Sequence, residues 1–375
     1  MPHPRLVEIA RQFVIGPEVA PAAAVAVAER GQAGFEFTAG AAFRDARPGL
    51  DERVCFDLAS ISKSFTAATV ARLVRSGRLA FETPLQDLLQ EARGTVTGAT
   101  PLALLLAHRA GLEAHRPLFA PLQRGRPFDR AAAIAEVIHG RRPECAAVPP
   151  EEGYAPVYSD LGFALVGLAL ERREGLPLDA IVDREVCVPL GLTAVGSARL
   201  LRGRLADFYQ RCMPTETVAF RGGEVRGAVH DENAWALSGH GLSGHAGLFG
   251  TALDVARFGA ALLEAWLGLS ERWLDRASLT PLLRVRAGGT LRAGFDGKSA
   301  DQSSAGARIG PRCFGHLGFT GTSFWCDPDA ARVLVLLSNR VCPTRDNLKI
   351  RAARPAVNDA LFSFSANNGG LSPPG

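Results

Sequence analysis

The spacing of apolar positions along the 375-residue chain changes period twice. Residues 6–13 recur at helical spacing, and two runs near 22–29 and 34–40, divided by Glu29, Arg30 and Gly31, alternate as a strand hairpin. An apolar run through Leu58 and Ala59 then meets Ser60, after which Phe65, Ala68, Leu73 and Val74 recur at helical spacing until Gly77. The pattern predicts a helix opened by Ser60. Helical spacing dominates the middle of the chain. Thr100 and Pro101 read as a cap and a first-turn proline of a helix stopped by Gly111, and further helices are predicted over 129–139, 161–174, 178–187 and 252–267. From about residue 290 the period of two returns over 290–295, 315–325 and 332–339, with a turn at Asp327, Pro328 and Asp329, before a last helix near 351–363. Strands at both ends around a helical middle predict an α+β fold. Residues 1–80 and 285–365 would build one antiparallel β-sheet flanked by helices, and residues 81–284 an inserted, mostly helical lobe with a ligand cleft between the two. Residues 366–375 carry no pattern and read as a flexible tail.

Composition narrows the classes of partner. With 47% hydrophobic and 21% charged residues the chain is globular, and a net charge of +4 spread over scattered arginines argues against nucleic acid. Cysteines at 55, 145, 187, 212, 313, 326 and 342 show no Cys-x-x-Cys spacing, so they read as reduced, mostly buried thiols. No apolar run has the length of a bilayer span, so no membrane partner is expected. The alanine-rich stretch 19–28 follows Glu8 and Glu18 and reads as a strand in preference to a secretion signal, which makes the cytoplasm the expected location.

The chemistry concentrates at Ser60-x-x-Lys63. Residues three apart share a helix face, so the Lys63 amine lies beside the Ser60 hydroxyl, one turn into a helix whose first N–H groups lack partners. Of 42 basic residues only Lys63, Lys298 and Lys349 are lysines. Where charge alone is wanted this chain uses arginine, so Lys63 is expected to be a base, made neutral by burial. The competing reading makes Ser60 a cap and Lys63 a solvated side chain. Tyr158, Ser159 and Asp160 precede the helix at 161: Asp160 or Ser159 caps it, and Tyr158 either packs below it or points into the cleft as a proton shuttle. Gly315 to Ser323 reads as a glycine-rich strand near a ligand, with His316 facing the cleft, whereas His108 is expected to bond the last carbonyls of its helix. His230, Asp231, His240 and His245 match no zinc spacing, and neither Gly-x-Ser-x-Gly nor a phosphate-binding loop occurs, so no metal and no cofactor is expected.

Three motifs in this order, Ser60-x-x-Lys63, Tyr158-Ser159-Asp160 and His316-Leu317-Gly318, make the chain similar to the serine β-lactamase and penicillin-binding-protein superfamily, in the branch of class C β-lactamases, D-amino-peptidases and esterases. Stretches 56–63, 104–112, 229–234, 244–249 and 315–325 resemble that branch too. The resemblance implies a covalent acyl-enzyme on Ser60, with Lys63 and Tyr158 as proton-transfer groups. It also implies an oxyanion hole of the Ser60 and Phe319 N–H groups and substrate contacts from Asp160, His316 and Gly318. Two positions depart from the family pattern. Asp160 stands where asparagine is common, and Leu317 removes a hydroxyl that helps hold a substrate carboxylate, so esters with less charged acyl groups are expected over β-lactams. The expected function is therefore a serine acyl hydrolase acting on a small ester, D-amino-acid amide or lactam; the alternative is a non-catalytic protein that senses peptide or cell-wall fragments in the same cleft.

Overall fold

The computed structural model describes residues 2–45 and 50–365, and the tail expected at 366–375 lies outside them. Six antiparallel strands form the main sheet: β1 (Ala22–Arg30), β2 (Phe35–Phe43), β3 (Asp296–Gly297), β4 (Phe314–Leu317), β5 (Ser323–Asp327) and β6 (Arg332–Ser338), in the order β2-β1-β6-β5-β4-β3. The two ends of the chain meet in it, with Val25 opposite Leu336. The helices that build the core and the site are α1 (Pro4–Ala10), α2 (Ser62–Arg75), α3 (Leu102–Leu106), α4 (Asp160–Glu174), α5 (Ala252–Leu267) and α6 (Ile350–Phe362).

Alternation along the strands gives the sheet two buried faces. Ala22, Ala24, Ala26 and Ala28 share one face with Val333 and Val335 beneath α5, while Ala23, Val25 and Val27 join Leu334 and Leu336 on the other beneath α1 and α6. Small side chains let α5 approach closely: a methyl group added at Gly259 would lie 2.6 Å from Val333 Cγ1. The first face is continuous with the packing of α2 and α4, so one core joins the sheet to the helical middle.

Two strand expectations need correction. Residues 290–295 form no strand; the edge of the sheet is the two-residue β3, because Gly288, Gly289 and Gly294 take positive φ and keep this stretch a loop. The run 315–325 is a hairpin, not one strand: Gly321 takes φ +104° and Gly318 leaves no room for a side chain in the tight turn, and Leu317 ends opposite Ser323. A second, three-stranded sheet of Phe56–Asp57, Leu248–Gly250 and Gly196–Ser197 leads the chain into Ser60.

Candidate active site

Ser60 sits in a single 3₁₀ turn, Ala59–Ile61, immediately before α2. Ala59 takes φ +47°, an uncommon conformation for a residue with a side chain, and Asp57 holds it by accepting the Ala59 N–H at 2.8 Å. Most of the α2 surface is buried, and Lys63 is 0% exposed. Its ammonium donates to Ser60 Oγ at 2.9 Å, to Asp160 Oδ1 at 2.7 Å and to the His245 carbonyl at 3.2 Å, so each of its protons has an acceptor. The Tyr158 ring centre is 4.8 Å from Nζ, and the phenol lines the same cavity as Ser60.

Burial would push the Lys63 amine down, but the Asp160 carboxylate, followed by Tyr158, outweighs it and holds the group above its ordinary range. The expected neutral amine is thus corrected to a cation: burial was foreseen, whereas a carboxylate 97 residues away along the chain was not. The Tyr158 phenol is raised as well, but for the opposite reason, since burial raises it more than Lys63 lowers it. At rest the pair is an ammonium beside an uncharged phenol.

The turn between β4 and β5 is tied to the residues before Ser60. Thr320 Oγ1 donates to the Asp57 carbonyl at 2.7 Å and Thr322 Oγ1 to the Leu58 carbonyl at 3.1 Å. Gly318 lies in the gap, where a methyl group would come within 2.0 Å of Thr322 Oγ1 and 2.6 Å of the Leu58 oxygen. The Gly318 N–H is taken by the Thr322 carbonyl, and Phe319 follows directly. The Phe319 ring is clasped between His230, stacked at 5.8 Å, and the Arg340 guanidinium at 4.4 Å.

These elements enclose a cavity of about 530 Å³. Ser60, Tyr158, Asp160, Gly318 and Phe319 all line it, with Lys63 beneath. His316 does not. Its ring is 4% exposed, 6.1 Å from that of Tyr158, with Nδ1 2.7 Å from the Leu317 carbonyl, and burial followed by Lys63 pushes its imidazole down to about 3. Side chains alternate along β4, so His316 points behind Tyr158, and the histidines on the cavity wall are His115 and His230. Ser159, not Asp160, caps α4, accepting from the Gly162 N–H. His108 also departs from expectation: its Nδ1 accepts the Ser159 N–H instead of bonding the end of its own helix. His230 pairs with Glu216 and His245 with Asp231, each at 2.9 Å, and among the described residues no three candidate ligands gather to hold a metal ion.

Sequence reasoning missed the basic wall of the cavity, formed by Arg340, Arg345, Arg351 and Arg354. Arg345 is neutralised by Glu216 and Glu232. Arg354 bonds only the Gly318 and Thr322 carbonyls, and no carboxylate pairs with Arg351 or Arg354 among the described residues. Burial, with Arg340 adding to it, pushes Arg354 down to about 10. The three-residue spacing of Arg351 and Arg354 on the last predicted helix was the available signal.

The β-lactamase family model matches residues 11–358. A protein of Escherichia coli (strain K12) described as "Putative D-alanyl-D-alanine carboxypeptidase" is 28% identical over 310 residues, covering 76% of this chain and 69% of that protein. A protein of Salmonella agona (strain SL483) with the same description is 25% identical over 325 residues, covering 82% and 72%. Among solved structures, EstCE1, described as a hydrolase with promiscuous acyltransferase activity, superposes with a TM-score of 0.69 at 20% identity over 96% of this chain and 98% of its own. A class C β-lactamase from Rhodobacter sphaeroides gives a TM-score of 0.64 at 16% identity over 96% and 99%. At such identities the structural likeness concerns the fold: an antiparallel sheet with flanking helices. The sequence match runs through all three motifs, and the chain belongs to the β-lactamase family, a family of serine hydrolases.

Proposed function

We propose that the protein hydrolyses a small acyl compound through a covalent acyl-enzyme on Ser60, and that this compound carries an anionic group. The observation that carries the reading is the buried Lys63 ammonium 2.9 Å from Ser60 Oγ on the floor of the cavity, with the Tyr158 ring 4.8 Å from that ammonium. Ser60 Oγ attacks the acyl carbonyl as its proton passes to the Tyr158 oxygen, and the Tyr158 proton passes to the leaving group as the acyl bond breaks. The phenol is uncharged before and after, so no neutral lysine is needed; Lys63 steadies the negative charge that develops on the two oxygens between. Donors at Ser60 N–H and Phe319 N–H would meet the carbonyl oxygen of the tetrahedral intermediate, a contribution of about two to three powers of ten per donor in known cases. Water then enters, gives a proton to Tyr158 as the phenol returns one to Ser60 Oγ, and releases the acid.

Arg351 and Arg354, unpaired with carboxylates among the described residues and set on the cavity wall, support an anionic substrate and weigh against the less charged acyl groups expected from Asp160 and Leu317. The description of the curated relatives as carboxypeptidases supports a substrate of that kind. A fluorophosphonate probe should add its mass to Ser60, and p-nitrophenyl ester turnover should vanish in Ser60→Ala. Turnover surviving in that variant, or a probe attached elsewhere, would overturn the reading.

A further inference from the structure

Tyr158 lies in an irregular segment, residues 153–159, with neither helix nor strand to aim its phenol. The residues on either side of it are both fastened to one buried histidine. The Val157 N–H donates to the His108 carbonyl at 3.1 Å, and the Ser159 N–H donates to His108 Nδ1 at 3.0 Å. The phenol ring itself rests on the imidazole, with centroids 4.7 Å apart and planes 30° from parallel. Phe163 of α4 supports the imidazole from a centroid distance of 5.2 Å. We propose that His108 is the positioning residue for Tyr158, a three-point clamp that fixes where the phenol oxygen stands relative to Ser60 and Lys63.

Three further observations support this assignment. His108 is 4% exposed and absent from the cavity wall, so it touches no substrate and acts only through its neighbour. It takes φ +60°, in the left-handed region that residues with a side chain enter only where their surroundings hold them there. An ordinary helix ending places glycine or asparagine at such a position most often; here a histidine occupies it and sets its ring against Tyr158. An Nδ1 that accepts a backbone N–H also dictates the tautomer, with the ring proton on Nε2. The charged and titratable groups around the ring are Lys63, Tyr158 and His316, and burial, followed by Lys63 and His316, pushes His108 well below its ordinary range, which keeps the acceptor free of a proton.

The proposal rests on the serine-hydrolase reading, and the test separates the two. His108→Gly suits the left-handed backbone but removes ring and acceptor; His108→Asn suits it and returns an acceptor oxygen. In single-turnover acylation by a p-nitrophenyl ester, His108→Gly should lose about a hundredfold in rate with KM nearly unchanged, the scale of a misplaced proton-transfer group. His108→Asn should recover at least about tenfold of that loss, as expected when one acceptor restores the aim. A folded His108→Gly enzyme with the wild-type rate and pH profile would overturn the clamp while leaving Ser60 chemistry intact; turnover that persists in Ser60→Ala would instead overturn the functional reading. Nitrogen-15 NMR of the wild-type protein tests the clamp even if the glycine variant does not fold: an unprotonated Nδ1 is expected, and a proton on Nδ1 would refute the proposal.

Discussion

Replacing Asp160 by asparagine isolates the charge that governs Lys63. Asparagine keeps an oxygen where Oδ1 now accepts from Nζ at 2.7 Å, but removes the negative charge. At that separation and an effective dielectric of about 20, the attraction is about 6 kcal/mol before desolvation is subtracted. Lys63 is 0% and Asp160 21% exposed. Uncoupling a buried pair costs about 3–5 kcal/mol, and the partial exposure of Asp160 favours the lower end, about 3 kcal/mol. Lys63 is held above its ordinary range, so the pair stabilises the fold fully below that range, and the contribution fades as pH rises through the folded value. Urea titrations should therefore show Asp160→Asn less stable by about 3 kcal/mol near neutrality, with the gap closing toward alkaline pH. In the variant, burial acts on the amine without the carboxylate that outweighed it. Lys63 then loses its proton at lower pH, and the alkaline limb of kcat/KM for a p-nitrophenyl ester moves toward neutrality. Equal stability together with superimposable alkaline limbs would refute the reasoning.

Gly318→Ala should slow acylation at least about a hundredfold, because the new methyl group must push the Phe319 N–H away from Ser60 to escape Thr322 Oγ1 and the Leu58 carbonyl; stopped-flow measurement of the p-nitrophenol burst reads this directly. Arg351→Ala removes an exposed cation that holds no ion pair among the described residues. It should raise KM for carboxylate-bearing acyl donors about tenfold, the lower range for a hydrogen bond to a charged group, while KM for a neutral ester stays the same. Equal effects on both substrates would remove Arg351 from substrate recognition.

How far the sequence could be read depended on whether the deciding contact was local. Ser60 and Lys63 are one helical turn apart, so their meeting follows from spacing alone, as does the alternation that buries both faces of β1. The hairpin at 318–322 was hidden because Phe319, Thr320 and Thr322 continue a β-prone run, and only the close approach of Leu58 reveals why Gly318 interrupts it. The charge on Lys63 was misread for a related reason. Burial is a property of one residue and its neighbours, whereas Asp160 acts from another helix. His316 was placed in the cleft from its motif, yet strand alternation turns it behind Tyr158. The basic wall, drawn from β6's loop and α6, leaves no local trace beyond the spacing of Arg351 and Arg354.

The threonine ties from 320 and 322 to Asp57 and Leu58 span 263 and 264 positions of chain. A nascent polypeptide on the ribosome cannot assemble this centre until the turn at 318–322 has followed Ser60 out, because the two halves of the machinery are encoded 263 and 264 positions apart. Acylation of Ser60 during synthesis would accordingly report docking of the turn between β4 and β5, not of any earlier portion. Chains cut short before β4 would carry the nucleophile and its lysine without the turn that completes them.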